Sequence, residues 1–182
     1  MADTLFRSAT TFDSGLIPAD SQLTITEVPG IGLWSVQPDH YSGLVMLTQK
    51  VFGTDPNPGG LLQDEENCLI QLWPNKAFLR RENAALPEST LTLMDLLTDI
   101  SHGFCELKLS DIQAFDFVSV YCSADVTQPT TRTARTIRCL LGHYPIVIWW
   151  NNTSDIRILV DRSYAQSLRD YLAHLMSRWS WD

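Results

Sequence analysis

Three strand-length apolar runs, Thr133 to Leu141, Tyr144 to Trp150 and Asp155 to Val160, constrain the fold more than any other feature of this chain. Between them stand only Gly142-His143 and Asn151-Asn152-Thr153, residues that favour tight turns. Links this short join antiparallel neighbours, because a parallel return needs a crossover of a dozen or more residues. The middle run carries Trp149 and Trp150 side by side, and successive strand residues face opposite sides of a sheet. One indole therefore belongs in a core, and the other needs a cover: a helix, a ligand or a partner chain.

A helix follows directly. Tyr164, Leu168, Tyr171, Leu172, Leu175, Met176 and Trp179 recur at helical spacing and form a wide apolar stripe. Ser163-x-x-Gln166 reads as a capping box at its start, and His174 and Arg178 suit the negative end of its dipole. Upstream, Leu23, Ile25 and Val28 suggest a half-buried strand, and Pro29-Gly30 a bend before a second strand from Ile31 to Val36. Leu44, Leu47, Val51 and Phe52 predict a helix closed by Gly53. Cys68 to Trp73 and Ala77 to Arg80 flank Pro74-Asn75-Lys76 as a hairpin. Glu88 to Leu97 has helical character, although a strand beginning near Leu93 fits the same residues.

Phe104 to Leu109 alternates Phe, Glu and Lys with Cys, Leu and Leu, and reads as a strand. Ser110-Asp111-Ile112-Gln113 is a second capping box, opening a helix to about Tyr121 with Ile112, Phe115 and Val118 or Ser119 inward. Thr127 to Thr131 reads as a polar turn. Mixed strands and helices with hairpins define an α+β class built of ferredoxin-like β-α-β-β-α-β units with antiparallel sheets, and the first half can be read as one such unit. With 182 residues the chain suits one domain, 23–182, built of two α+β halves at about 23–110 and 104–179. Residues 1–22, rich in Ser, Thr and Asp, read as a flexible arm.

Charge narrows the functional classes. Thirteen basic residues against 21 acidic ones leave a net charge of −8, which repels nucleic acid and anionic membrane surfaces. The arginines thicken only between Arg132 and Arg138, which reads as a solvated strand edge. No window approaches the roughly 20 apolar residues that span a bilayer. Four isolated cysteines, Cys68, Cys105, Cys122 and Cys139, lack the paired spacing of a zinc site and read as small buried hydrophobes. Without a signal-peptide pattern at the start, they suggest a reducing cytoplasm.

Catalytic motifs are sparse. Asp99-x-x-His102-x-x-Cys105 brings a carboxylate, an imidazole and a thiol within seven residues. A turn running into a strand would separate the three and bury the thiol, so the pattern is read as a turn plus a core cysteine. Asp64-Glu65-Glu66 reads as loop surface, and Gly59-Gly60 lacks the lysine of a phosphate loop. Neither a dinucleotide-binding glycine pattern nor a nucleophile elbow occurs. No catalytic, cofactor-binding or metal-binding residues are therefore assigned.

The order of motifs resembles the gamma subunit family of heterotetrameric sarcosine oxidase and the related subunit of N-methylglutamate dehydrogenase. The resemblance spans about Leu23 to Leu175. It rests on Thr24 to Val36 (TITEVPGIGLWSV), the loop Phe52-Gly53 to Pro58-Gly59, Leu72 to Leu79 (LWPNKAFL), Asp99-Ile100-Ser101-His102 and Ser123-Ala124-Asp125-Val126. At the C-terminal end it rests on Thr136 to Leu141, Ile146 to Trp149, and Ile158 to Ala165 followed by Leu168, Tyr171 and Leu172.

The resemblance implies a fold of the aminomethyltransferase (glycine cleavage T-protein) superfamily. It implies a non-catalytic accessory subunit of a flavoenzyme complex that demethylates sarcosine or a similar N-methyl amino acid and passes one-carbon units to folate. Flavin, NAD and tetrahydrofolate would then sit in partner subunits, the larger alpha-type chain among them. A stand-alone folate-binding or aminomethyltransferase-like protein is the alternative. Under the subunit reading, Trp149, Trp150 and Arg162 are the candidate subunit contacts.

Overall fold

The computed structural model describes residues 23–38, 41–56, 61–73, 75–82, 86, 96–126 and 135–179. In chain order the elements are β1 (Thr24–Val28), β2 (Gly32–Val36), α1 (Tyr41–Phe52), β3 (Leu61–Gln63), β4 (Asn67–Trp73), β5 (Lys76–Arg81) and β6 (Leu97–Asp99). There follow β7 (Phe104–Ser110), α2 (Ala114–Tyr121), β8 (Arg135–Leu141), β9 (Tyr144–Asn152), β10 (Asp155–Asp161) and α3 (Ala165–Met176). The expected arm over 1–22, the turn over Thr127 to Thr131 and most of the expected helix from Glu88 to Leu97 lie outside the described residues. Leu97 itself opens β6.

The strands form two antiparallel five-stranded sheets with one topology used twice. The first has the order β3-β4-β5-β2-β6 and the second β8-β9-β10-β7-β1. In each, a strand (β2 or β7) leads through a helix (α1 or α2) into a three-strand meander, whose last strand pairs back with the first. In each, one more strand closes the far edge. The first sheet takes β6, and the second takes β1 from the beginning of the described chain. Setting aside the extra edge strand (β3 or β8), each sheet has the strand order of a ferredoxin-like unit. Thr24 to Val28, adjoining β2 in sequence, thus complete the sheet of the second half, with Ile25 opposite Leu109 and Glu27 opposite Leu107. Arg169 of α3 bonds Glu27 at 3.1 Å and fastens that strand from the helix side.

Period-two burial sorts the side chains into three apolar layers. Ile146, Ile148 and Trp150 of β9, Leu107 and Leu109 of β7, and Ile156, Ile158 and Val160 of β10 face α2 and α3. Leu69, Ala77, Leu79, Trp34 and Val36 face α1. The intervening residues, among them Leu33, Ile70, Phe78, Val147, Trp149 and Leu159, meet between the two sheets. The layers therefore stack as helix, sheet, sheet, helices. Helix α3 contributes the fully buried Leu168, Leu172 and Met176 to this stack, each such side chain stabilising the fold by roughly 2 kcal/mol.

Helix ends show where the sequence pattern and the structure differ. Helix α1 closes as expected, with Gly53 at φ +67° and its N–H donating to the Gln49 carbonyl at 3.0 Å. Both expected capping boxes are displaced. Ser110 is held as the last residue of β7, opposite Thr24 and Asp155, so it is not the cap. Asp111 accepts the Gln113 N–H instead, at 2.8 Å, and α2 starts at Ala114. Ile112 consequently falls in the turn before the helix and is 78% exposed, not inward. Ahead of α3, Asp161 caps the 3-10 turn that precedes the helix: its Oδ1 accepts both the Ser163 N–H at 2.9 Å and the Ser163 hydroxyl at 2.6 Å. That turn, over Arg162–Tyr164, leads into the helix, and Gln166 pairs with Asp170 and Arg169 rather than reaching back.

Candidate functional site

Two polar features interrupt the apolar layer between the sheets. The first is closed. Glu106 of β7 points into the layer with its side chain wholly buried, and receives Arg80 of β5 through Nε at 2.9 Å and through its terminal nitrogen at 3.1 Å. Arg157 of β10 donates to the other face of the network at 2.8 Å and also holds Asp155 at 2.9 Å. These bonds raise the Arg157 pKa despite burial, which works in the opposite direction. Arg80 comes from one sheet and Glu106 and Arg157 from the other, so the carboxylate ties the two sheets together. Its place in an alternating strand was visible in the sequence, but the facing arginine 26 residues earlier was not.

The second feature is open. Between the β4–β5 turn and the start of α3 lies a cleft of about 270 Å³, lined from both sheets. Phe78 and Phe104, with ring centroids 5.6 Å apart, and Val147 and Leu159 supply apolar walls. Lys76, Arg138, Asp161 and Tyr164 supply the polar lining. Arg138 lies over the Trp73 indole at 5.3 Å, and Trp73 and Tyr164 are each 45% exposed. Leu140, two residues along β8 from Arg138 and on the same face, is 44% exposed. Among the described residues, the Lys76 ammonium makes no hydrogen bond or ion pair, while its backbone pairs with Trp73. The Asp161 carboxyl is held below the usual range by the Ser163 hydroxyl and then the Ser163 N–H, so it stays ionised. The cleft thus combines aromatic walls, two cations and one carboxylate, a surface suited to an apolar group that carries charge. Neither Trp73 nor Lys76 was marked by the sequence, because both read simply as hairpin residues.

The sequence-level candidates fall elsewhere. Trp150 is fully buried beneath the helices, its ring edge-on to Phe115 at 5.4 Å. Trp149 is 3% exposed and covered by the opposite sheet. The cover that the second indole required is supplied by the chain itself, and neither ring offers a contact surface to a partner. Arg162 is exposed, but its guanidinium donates to the carbonyls of His102 at 3.0 Å and Phe104 at 2.6 Å. It pins the 3-10 turn at Ser101–Gly103 to the start of α3 and is not free to extend.

Asp99, His102 and Cys105 form no triad. Asp99 accepts from the Ser101 hydroxyl at 2.6 Å and from the Ser101 N–H at 2.9 Å, which hold its carboxyl low. His102 lies exposed in the turn, whereas Cys105 points into the helix-side core, where burial pushes its thiol up to about 12. Burial does the same to Cys68 between the sheets. No group of three His, Cys, Asp or Glu residues among those described has metal-binding geometry. No helix among them is long and apolar enough to cross a membrane.

Geometry and comparison together define an α+β chain with two antiparallel ferredoxin-like sheets packed face to face. A chain of the heterotetrameric sarcosine oxidase from Corynebacterium sp. U-96, solved in complex with pyrrole 2-carboxylate, is similar to it with a TM-score of 0.74. The match covers 90% of this chain and 88% of that one at 21% sequence identity, and establishes the shared fold. No protein-family model matches the sequence, and no curated protein sequence matches it.

Proposed function

We propose that this chain is an accessory subunit, of gamma type, in a multi-subunit flavoenzyme that oxidatively demethylates sarcosine or a similar N-methyl amino acid. The carbon released would pass to folate. The observation that carries the reading is the fold likeness to a chain of a heterotetrameric oxidase, which runs nearly end to end on both chains. In this reading flavin, NAD and tetrahydrofolate belong to the partner subunits, and the complex is cytoplasmic. The cleft beside Trp73, Lys76, Arg138, Leu140 and Tyr164 is the face offered to the larger subunit. It replaces the two buried tryptophans as the source of aromatic contact area, and Arg162 stands in sequence between its lining residues Asp161 and Tyr164.

Purification of the tagged chain from its native cells tests this directly. The expected result is stoichiometric recovery of larger chains with a flavin absorbance spectrum. Trp73→Ala should weaken that association by at least about thirtyfold, since truncating an interface tryptophan costs about 2 kcal/mol or more of binding. The melting temperature of the isolated chain should change little, because the ring is half exposed. Recovery of a lone chain that binds tetrahydrofolate by itself would instead establish a stand-alone folate protein and overturn the subunit reading.

A further inference from the structure

The C-terminal end of α2 is clamped along the edge of β8. Ser123 N–H donates to the Leu140 carbonyl at 2.8 Å, Leu140 N–H to the Ser123 hydroxyl at 2.9 Å, and Gly142 N–H to the Tyr121 carbonyl at 3.0 Å. Cys122 itself bridges to Leu141. This short ladder sets Cys122 on the same side of β8 as Cys139, two residues from Leu141. Their sulfurs lie 3.8 Å apart, joined by a weak S–H···S contact and packed at the margin of the helix-side core. Both residues are half-buried, whereas Cys68 and Cys105 are fully enclosed in separate layers. A disulfide needs about 2.05 Å between sulfurs, so each must move by less than about 1 Å, which side-chain rotation can supply while the backbone stays hydrogen-bonded.

From this juxtaposition we infer that Cys122 and Cys139 form a redox-active dithiol, a modification site that a hydroperoxide closes to an intramolecular disulfide. In the first step the Cys139 thiolate attacks the peroxide, the O–O bond breaks, the Cys139 sulfur becomes a sulfenic acid, and the departing alkoxide or hydroxide takes up the proton that the thiol released on ionising and leaves as an alcohol or water. In the second, the Cys122 sulfur attacks the sulfenic sulfur, the S–O bond breaks, and water leaves carrying the Cys122 proton. Two thiols are oxidised by two electrons in all, and the peroxide is reduced by the same two. The electrostatics suit this division of labour. The hydrogen bond with Cys122 lowers the Cys139 pKa, while that bond and burial raise the Cys122 pKa. The nucleophile is thus the sulfur that ionises first, and its neighbour retains a proton until the resolving step. Closing the bond ties the end of α2 covalently to β8.

The reduced full-length chain, freed of reductant and treated with a few equivalents of hydrogen peroxide, tests the inference. The expected result is a loss of about 2 Da in intact mass, one cross-linked peptide joining Cys122 to Cys139, and full reversal by dithiothreitol. The oxidised chain should melt about 5 °C or more above the reduced one, because the bond restrains the unfolded ensemble. Cys68→Ser should oxidise in the same way, whereas Cys139→Ser should yield no intramolecular disulfide. A native chain that gains oxygen on Cys139 with Cys122 left free, or that forms only intermolecular disulfides, would overturn the inference. So would a chain that resists peroxide until it is unfolded.

Discussion

Replacing Glu106 by glutamine keeps the shape of the side chain and removes its charge. The position is well chosen, because the carboxylate is fully buried and its partners Arg80 and Arg157 expose only 8% and 21% of their side chains. An amide there offers one acceptor oxygen where two served three donated hydrogen bonds, and its NH₂ group confronts a guanidinium that can only donate. Breaking a buried pair from one side costs about 3–5 kcal/mol. Arg157 retains Asp155, but Arg80 retains only Glu82, at 3.6 Å and largely in water. The lower end of the range, about 3 kcal/mol, therefore applies, a melting shift of about 6–12 °C for a chain of this length. Urea unfolding followed by tryptophan fluorescence reads it well, because Trp149 lines the same recess as Arg80 and Arg157. The midpoint should fall with little change in slope. Adding Arg80→Met to Glu106→Gln should cost clearly less than the sum of the two single changes, since the stranded cation is gone. If Glu106→Gln lies within about 0.5 kcal/mol of the parent, the network does not join the sheets energetically and the reasoning fails.

Two further perturbations follow from the same geometry. Gly142, in the β8–β9 turn, adopts φ +60°, and a Cβ there would lie 2.7 Å from the Tyr171 hydroxyl oxygen. Gly142→Ala should thus cost about 2 kcal/mol or more in chemical denaturation, and Tyr171→Leu in that background should relieve the overlap but not the backbone strain. An alanine variant as stable as the parent would show that the turn can relax freely. The Cys68 thiol, pushed by burial from 9.0 to about 12, gives an alkaline signature. The unfolded chain releases this proton first, so the stabilisation is intact below about pH 9 and is lost at about 1.4 kcal/mol per pH unit toward pH 12. Cys68→Ala should flatten that decline; an unchanged alkaline slope would assign the loss to other groups.

Local chemistry made much of this fold legible. The meander was written in its turn residues, α1 in the spacing of Leu44, Leu47 and Gly53, and α3 in its apolar stripe. What stayed hidden depends on partners distant in sequence. Ser110 has the right chemistry for a helix cap, yet two neighbouring strands claim it for the sheet. Leu23 to Val28 look like the opening strand of the first half, but a strand alone does not say which sheet it joins. Trp149 and Trp150 were rightly placed on opposite faces. That both faces are covered within this chain follows only from how the sheets of the two expected halves pack, bare face against bare face, which no local pattern announces. The cleft was hidden for the same reason: its walls come from both sheets, and its cations lie more than 60 residues apart in sequence.

The duplicated topology explains why closed and open features share one interface. Two ferredoxin-like sheets each cover one face with their own helices and leave the other bare, so each needs an apolar partner surface. Packing the bare faces together satisfies both, and Val147, Trp149 and Leu159 interlock there with Leu33, Ile70 and Phe78. At one place the surfaces carry charge, and Glu106 reconciles them by drawing arginines from both sides. Near the β4–β5 turn, nothing in the described chain fills the space between Phe104, Arg138 and Tyr164. Because β1 crosses to the second sheet before β2 begins the first, the halves are also joined by the chain itself. Pulling the sheets apart would expose the buried Glu106 and the apolar layer around it. The cleft walls are therefore held by the same contacts that hold the fold, so under the subunit reading proposed above a partner would meet a preformed surface with little ordering cost.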